Sequence, residues 1–561
     1  MQKKVPIGYE DFKRIVDEDM YFVDKSLMIR DILDYKGSVN LYTRPRRFGK
    51  TLNLSMIRRF FEDELDADGK KVVNAYLFDK LKIKECGEEY MAHRGRYPVI
   101  NLSLKSGKQP TYEMAAASLV DEIAKEFKRH RYVLSSEKLT PNDRERFTAM
   151  MNYKAETIEY AKALEFLSAC LTQYHGTRTV ILIDEYDVPL ENAHFAGFYD
   201  LMTGFVRSVF ESALKTNINL EFAVITGCLR ISRESIFTGL NNLDIYSIMN
   251  PRYADAFGFT EEEVKELLSF YQLDDKFDEV KNWYDGYRFG KTEIYNPWSI
   301  INYVNAAMTD PQAYPRPYWS NTSSNSIIKE LIENADSAMK QEIEDLIAGG
   351  RVKKPVHEDI TYDSIYESQD NLWDFLYFTG YLKSGRESFE DDTEYVEFMI
   401  PNREIRTIYK RTIMTWFDKK MQNMDRSELI RALEDGDCEQ FEKMVSEQLL
   451  ETISFFDYAE NYYHGFLAGL LKGAGQYLVI SNRESGEGRP DLILKTPSVR
   501  GSAIILELKV SDTFQAMEQE CRNALRQIES ADYEAGLRAE GYSDIKKYGM
   551  CFYRKECMVR K

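Results

Sequence analysis

Leu41-Tyr42-Thr43-Arg44-Pro45-Arg46-Arg47-Phe48-Gly49-Lys50-Thr51 joins a short apolar run, Val39 to Thr43, to an amphipathic stretch. In that stretch Leu52, Met56 and Phe60 fall on one helical row, and Ile57 and Phe61 on its neighbour. Gly-Lys-Thr at a strand-to-helix junction offers a nucleoside triphosphate three groups: backbone N–H donors, a lysine charge for the β and γ phosphates, and a hydroxyl for Mg²⁺. Arg44 stands where the ordinary phosphate loop has its first glycine, which leaves the loop less freedom for positive φ.

Working outward, short β-branched runs alternate with long amphipathic stretches, the pattern of βα units around a mostly parallel sheet. Strands are expected at Val39 to Thr43, Val99 to Leu104, Thr179 to Ile183 and Leu220 to Thr226. Val180-Ile181-Leu182-Ile183-Asp184-Glu185 has the form of a Walker B strand. There Asp184 would hold Mg²⁺, and Glu185 would orient and activate the attacking water. Thr226 ends the next strand and could sense the γ-phosphate, while Arg230 and Arg233 follow it as candidates for countering transition-state charge. Each feature has a plainer reading as a turn, a helix cap, a strand end or a solvated arginine. Their order in one chain argues for a nucleotide site.

At 561 residues, 43% apolar and 13% aromatic, the chain is globular and exceeds one hydrophobic core, so two to four domains are expected. A net charge of -18 opposes indiscriminate coating of nucleic acid or anionic membrane; a polyanionic substrate would need a local basic groove or bound metal. The 7 cysteines are scattered without disulfide-scaffold or zinc-ligand spacing, which suits a reducing cytoplasm. No run approaches the roughly 18 uncharged residues of a spanning helix, so neither export nor membrane embedding is expected.

From about Pro251 to Trp298 the pattern suits a small helical lid, with turns at Asp285 to Gly290 and Asn296 to Trp298. Residues 300–425 read as mainly helical, with an apolar run from Phe375 to Leu382, a charged loop, and a strand-like Tyr395 to Ile400 that would fit a winged-helix connector. From about Ser427 a helical spacer leads to a last α/β unit. It contains Gly488-Arg489-Pro490-Asp491-Leu492-Ile493-Leu494, a turn entering a strand, and Ala503-Ile504-Ile505-Leu506-Glu507-Leu508-Lys509-Val510. Alternation on the second strand puts Glu507 and Lys509 on one face and Leu506, Leu508 and Val510 on the other. If Asp491 lies on the neighbouring strand it can meet Glu507 to bind Mg²⁺, or Mn²⁺, with Lys509 positioning water or stabilising phosphorane charge. In a chain with 30% charged residues this spacing alone is weak. His464, four residues after Glu460, reads as a packing residue. Arg351, Lys353, Lys354, Lys546 and Lys547 are scattered bases from which a groove could be built.

Tyr21 to Lys25, Arg44 to Thr51, Leu182 to Asp187, Thr226 to Asn242 and Trp283 to Tyr287 together resemble the bacterial AAA-ATPase-like family, typically linked to a C-terminal PD-(D/E)XK nuclease domain. The resemblance implies an α/β chain: an ASCE-type P-loop NTPase parallel sheet with its helical lid at 1–290, a helical or winged-helix connector at 291–425, and a PD-(D/E)XK-like domain at 426–561. It implies nucleotide contacts from Arg46, Arg47, Phe48, Gly49, Lys50, Thr51, Asp184 and Thr226, with Thr51 and Asp184 at the metal. It also implies nuclease chemistry from Asp491, Glu507 and Lys509, with Glu460 and Gln527 as accessories. The expected function is ATP binding and hydrolysis coupled to a Mg²⁺-dependent nuclease acting on DNA before RNA, gated by nucleotide state. A nucleotide-dependent switch or scaffold, and a motor assembled as a homo-oligomer through Arg230 or Arg233, are the alternatives.

Overall fold

The computed structural model describes residues 3–230, 236–237, 240–321, 337–358, 360, 362, 365, 368–423, 427–451, 460–472, 477–481 and 490–561. They form two compact units: Met1–Ser320 with Arg351–Arg406, and Asn321–Gly350 with Thr407–Lys561.

The first unit is built on five parallel strands, β1 (Val39–Thr43), β2 (Val99–Ser103), β3 (Thr179–Asp184), β4 (Leu220–Gly227) and β5 (Leu243–Tyr246), in the order β2-β3-β4-β1-β5. Every residue of β1 and β3 is buried, as expected of strands covered on both faces. β4 lies between β1 and β3, with Tyr42 opposite Thr226 and Ile183 opposite Ile225, so the strands carrying the phosphate loop and the paired carboxylates end at the same sheet edge. The helix Lys50–Phe61 follows β1 and buries Leu54, Met56, Ile57, Phe60 and Phe61; Leu52 is only half-buried. β5 was not expected. It is four residues long, includes the exposed Asp244, and among the described residues pairs only with β1.

The helices Glu261–Phe270, Phe277–Tyr284 and Pro297–Thr309 close around Leu267, Tyr284, Tyr295 and Tyr303. Where a turn is expected after Asp285, a short hairpin forms from β6 (Tyr287–Phe289) and β7 (Thr292–Ile294), because Tyr287 and Phe289 alternate into the core. The middle stretch holds the helix Gln369–Phe378 and an antiparallel sheet of β8 (Val352–Pro355), β9 (Lys383–Glu390) and β10 (Thr393–Met399), in the order β8-β10-β9. The stretch read as a charged loop is thus strand β9. It turns into β10 through Asp391 and Asp392, both at positive φ (45° and 62°), the backbone a two-residue hairpin turn requires.

In the second unit β11 (Leu478–Ser481), β12 (Leu492–Lys495), β13 (Ser502–Val510), β14 (Asp544–Tyr553) and β15 (Glu556–Arg560) lie in chain order. Only the β13–β14 pair is parallel, crossed over by the helices Met517–Ser530 and Tyr533–Glu540. Ile504, Leu506 and Leu508 pack with residues of the helices Ser427–Asp435, Cys438–Glu451 and Glu460–Leu471, whereas Ala503 and Ile505 pack with Ile528 and Leu537 of the crossover. All seven cysteines are unpaired. Among the described residues no helix is long and apolar enough to cross a membrane.

Near the start of β2 the first unit buries a titratable cluster. The Tyr132 hydroxyl lies 3.0 Å from His130 Nδ1 and 2.9 Å from His175 Nε2; His130 Nε2 meets the Val99 carbonyl at 3.1 Å, and His175 Nδ1 faces Asp63 at 3.5 Å. Burial holds both imidazoles below their usual pKa, aided at His130 by the Arg129 charge and opposed by Glu126 at His130 and Asp63 at His175. The unfolded chain takes up a proton at each near pH 6.5 while the folded chain resists, so stability is full above that pH and falls as the pH drops below it. At Glu62 burial acts upward, but the Arg129 and Arg58 charges overcome it and bring the carboxyl down to about 2, so its contribution is lost only in stronger acid. Thermal melts from pH 7 to 5 are expected to show a loss of at most about 1.4 kcal/mol per pH unit for each histidine. His130→Asn combined with His175→Asn should flatten that slope, and a flat wild-type profile would contradict the neutral imidazoles.

Candidate functional site

At the C-terminal edge of the parallel sheet, Asp184 collects two hydroxyls. Thr51 Oγ1, from the first turn of the helix after the loop, donates to Asp184 Oδ2 at 2.7 Å, and Thr226 Oγ1, near the end of β4, donates to Asp184 Oδ1. Asp184 is buried, and both of these partners are neutral hydroxyls, with the Thr51 oxygen beside its carboxylate. That donor set fits a hard divalent cation. Gly49 caps the helix at φ 84°, a left-handed backbone available to glycine at little cost. Lys50 Nζ donates to the carbonyls of Arg44 (2.8 Å) and Pro45 (2.9 Å) and lies 3.5 Å from Cys228 Sγ, so the ammonium sits inside the curve of its own loop. Glu185 leaves β3 at φ 51°; burial, reinforced by the Asp184 charge, raises its pKa and makes it a stronger base.

Arg44, Arg46, Arg47 and Phe48 each have protein partners of their own. Arg44 is fully buried: its guanidinium donates to the carbonyls of Thr43 (2.8 Å), Tyr246 (2.7 Å) and Tyr253 (3.0 Å) and lies over the rings of Phe257 and Phe289. Burial brings its pKa down to about 9, so it still carries its charge at neutral pH. Arg46 pairs with Glu191, Arg47 stacks on Trp298 at 4.3 Å, and Phe48 is buried against Tyr287 and Phe289.

In the second unit, Asp491 immediately precedes β12 and Glu507 lies in β13. The Asp491 N–H lies 3.4 Å from Glu507 Oε2, Asp491 Oδ2 accepts from the Leu508 N–H at 2.8 Å, and Lys509 Nζ lies 3.4 Å from Glu507 Oε1. Burial, then repulsion from Asp491, pushes Glu507 up to about 7, with Lys509 pulling the other way. Two carboxylates and an ammonium thus converge, and a divalent cation shared by the carboxylates would relieve their repulsion. Among the described residues no group of three or more His, Cys, Asp or Glu side chains has metal-binding geometry. Gly549 is opposite Glu507 on β14; a Cβ there would come within 2.2 Å of the Cys521 carbonyl, so the glycine lets the helix Met517–Ser530 close over the strand beside the carboxylates.

Residues 6–237 match the family of predicted AAA-ATPases called AAA-ATPase-like, and residues 458–561 match the PD-(D/E)XK nuclease superfamily. The chain joins an AAA-ATPase-like domain to a PD-(D/E)XK domain. It is also 27% identical over 333 residues to a protein of Azotobacter chroococcum mcd 1 described as an uncharacterized protein in the vnfD 5′ region, covering 59% of this chain. The match spans about half (56%) of that relative's length.

In the AAA-ATPase-like domain the turn after β3 grips the turn after β4. Asp187 accepts from the N–H groups of Cys228 (2.7 Å) and Leu229 (3.2 Å), and the Tyr186 hydroxyl donates to the Leu229 carbonyl at 2.6 Å. Arg230, next in line, pairs with Glu358 at 2.8 Å, and the other Glu358 oxygen accepts from Ser247 at 2.8 Å. Arg233 lies outside the described residues, as do Gly488 and Arg489. In the PD-(D/E)XK domain Glu460 is exposed at the start of its helix, and Gln527 lies 3.4 Å from the Tyr533 hydroxyl. His464, read as a packing residue, is buried, and its Nε2 meets the Asp491 carbonyl at 3.0 Å. The bases considered for a groove are engaged: Arg351 with Glu397, Lys353 with Glu390, Lys546 with Asp544, Lys547 with Glu534, and Lys354 over the Trp373 ring.

Proposed function

We propose that the protein binds and hydrolyses ATP at Lys50, Thr51, Asp184, Glu185 and Thr226, cleaves DNA at Asp491, Glu507 and Lys509, and uses the nucleotide state to gate the cleavage. The observation that carries the nuclease reading is that Glu507 is met by the Asp491 main-chain N–H and by Lys509 Nζ, each at 3.4 Å, while the Asp491 carboxylate is bonded to the N–H of Leu508, next to Glu507. When bound, a divalent ion at either site counters phosphate charge and acidifies water. Lys50 and the loop N–H groups receive the β and γ phosphates, Thr226 reads the γ-phosphate, and Glu185 takes up the proton of the attacking water. At the second site Lys509 stabilises the charge that grows on the attacked phosphate, while Asp491 and Glu507 hold the ion.

The test is cleavage of single-stranded DNA, duplex DNA and RNA with Mg²⁺ or Mn²⁺, with and without ATP. Lys50→Ala is expected to weaken ATP binding by about tenfold or more, the loss of a charge-assisted phosphate contact, and to abolish the response of cleavage to ATP while ATP-independent cleavage persists. An unaltered ATP response in Lys50→Ala would refute the gating. Preference for RNA over both DNA forms would refute the substrate assignment.

A further inference from the structure

His464 lies on the helix Glu460–Leu471 between the fully buried Tyr463 and Leu467, and is itself only 7% exposed. A buried imidazole needs polar partners, and here they are the Asp491 carbonyl oxygen, 3.0 Å from Nε2, and Ser481 Oγ at 3.4 Å. The carbonyl only accepts, so Nε2 carries the proton and donates it, which withdraws that nitrogen from metal ligation.

Asp491 has need of such a hold. Among the described residues the β11–β12 ladder runs to the Ser481–Leu492 pair, next to Asp491, and the preceding residue, Pro490, has no N–H to offer. His464 fixes the Asp491 carbonyl, the Leu508 N–H fixes its carboxylate Oδ2, and its own N–H faces Glu507. We infer that His464 is a positioning residue of the C-terminal metal site: by holding the Asp491 carbonyl it sets the entry into β12 and hence the aim of the Asp491 carboxylate toward Glu507. Partners of this outer kind change metal affinity without touching the ion, because the ligand they hold otherwise samples other directions.

The inference rests on the metal-dependent reading of Asp491 and Glu507, and the test separates the two. Free Mn²⁺ is followed by electron paramagnetic resonance as the full chain is titrated, for wild type, Asp491→Asn, His464→Ala and His464→Gln, alongside thermal melts. Wild type should bind Mn²⁺ at a site that Asp491→Asn removes, and His464→Ala should weaken that site about 10- to 100-fold. His464→Gln, whose amide can reach the same carbonyl, should recover to within about threefold of wild type. If His464→Ala does not fold, His464→Asn, whose shorter amide falls short of the carbonyl, takes its place. Wild-type affinity in the folded Ala or Asn variant, or a Gln variant as weak as they are while melting like wild type, overturns the positioning role. Absence in wild type of any Mn²⁺ site sensitive to Asp491→Asn overturns the metal reading itself, and the inference with it.

Discussion

Arg44→Gly, which restores the first glycine of the ordinary phosphate loop, is expected to weaken this protein severely. In the wild-type chain the guanidinium answers three buried main-chain carbonyls and fills the space between Phe257 and Phe289. Glycine would leave those acceptors unmet and a cavity beside two rings, a combination costing about 3–5 kcal/mol. For a unit of this size that corresponds to a fall in melting temperature of roughly 4–6 °C. Arg44→Lys should recover little, since a single ammonium cannot reproduce the planar fork that reaches three acceptors. The measurement is thermal unfolding with limited proteolysis of the first unit. A glycine variant melting within about 2 °C of wild type would mean that the guanidinium is not the clasp its contacts describe.

Glu507→Gln is expected to have the opposite profile: no loss of stability and almost no cleavage. Glu507 is buried and repelled by Asp491, so replacing its carboxylate with an isosteric amide removes a burial cost and a like-charge contact. The melting temperature should hold or rise. Cleavage should fall by about 10³-fold or more, because one of the two carboxylates that would hold the ion is gone. Lys509→Ala should retain Mn²⁺ binding yet lose about 10²- to 10³-fold in cleavage, the usual cost of removing one group that stabilises transition-state charge. Cleavage by Lys509→Ala at the wild-type rate would rule out its role, and a large drop in the melting temperature of Glu507→Gln would show that the carboxylate is structural.

The strands that carry the proposed nucleotide site were legible because they are largely buried and so appear as apolar runs bounded by turns: Val39 to Thr43, Thr179 to Ile183 and Leu220 to Thr226. β5 escaped because it has only four residues, one an exposed aspartate, and is held mainly by its pairing with β1. β9 escaped because its charged sequence reads as solvated loop, while its structure comes from β10 and from a turn made of two aspartates at positive φ. Alternation placed Glu507 and Lys509 on one face, since a strand of known register leaves no other choice. Spacing could report that Arg44 replaces a glycine. It could not report where the guanidinium goes, because two of its acceptors, on Tyr246 and Tyr253, lie 202 and 209 residues further along. At His464, likewise, a helical row reveals that a histidine is buried, not which carbonyl 27 residues later it answers.

The reach of Arg44 also bears on how the AAA-ATPase-like region can be isolated. A fragment ending at residue 237, where the AAA-ATPase-like match stops, would contain Lys50, Thr51, Asp184 and Thr226 and would look self-sufficient by motif. It would lack β5, and with it one flank of β1, together with the Tyr246 and Tyr253 carbonyls that receive the buried arginine. Such a fragment is expected to precipitate or be digested rapidly, so the portion that evolution marks as a family is smaller than the portion that folds.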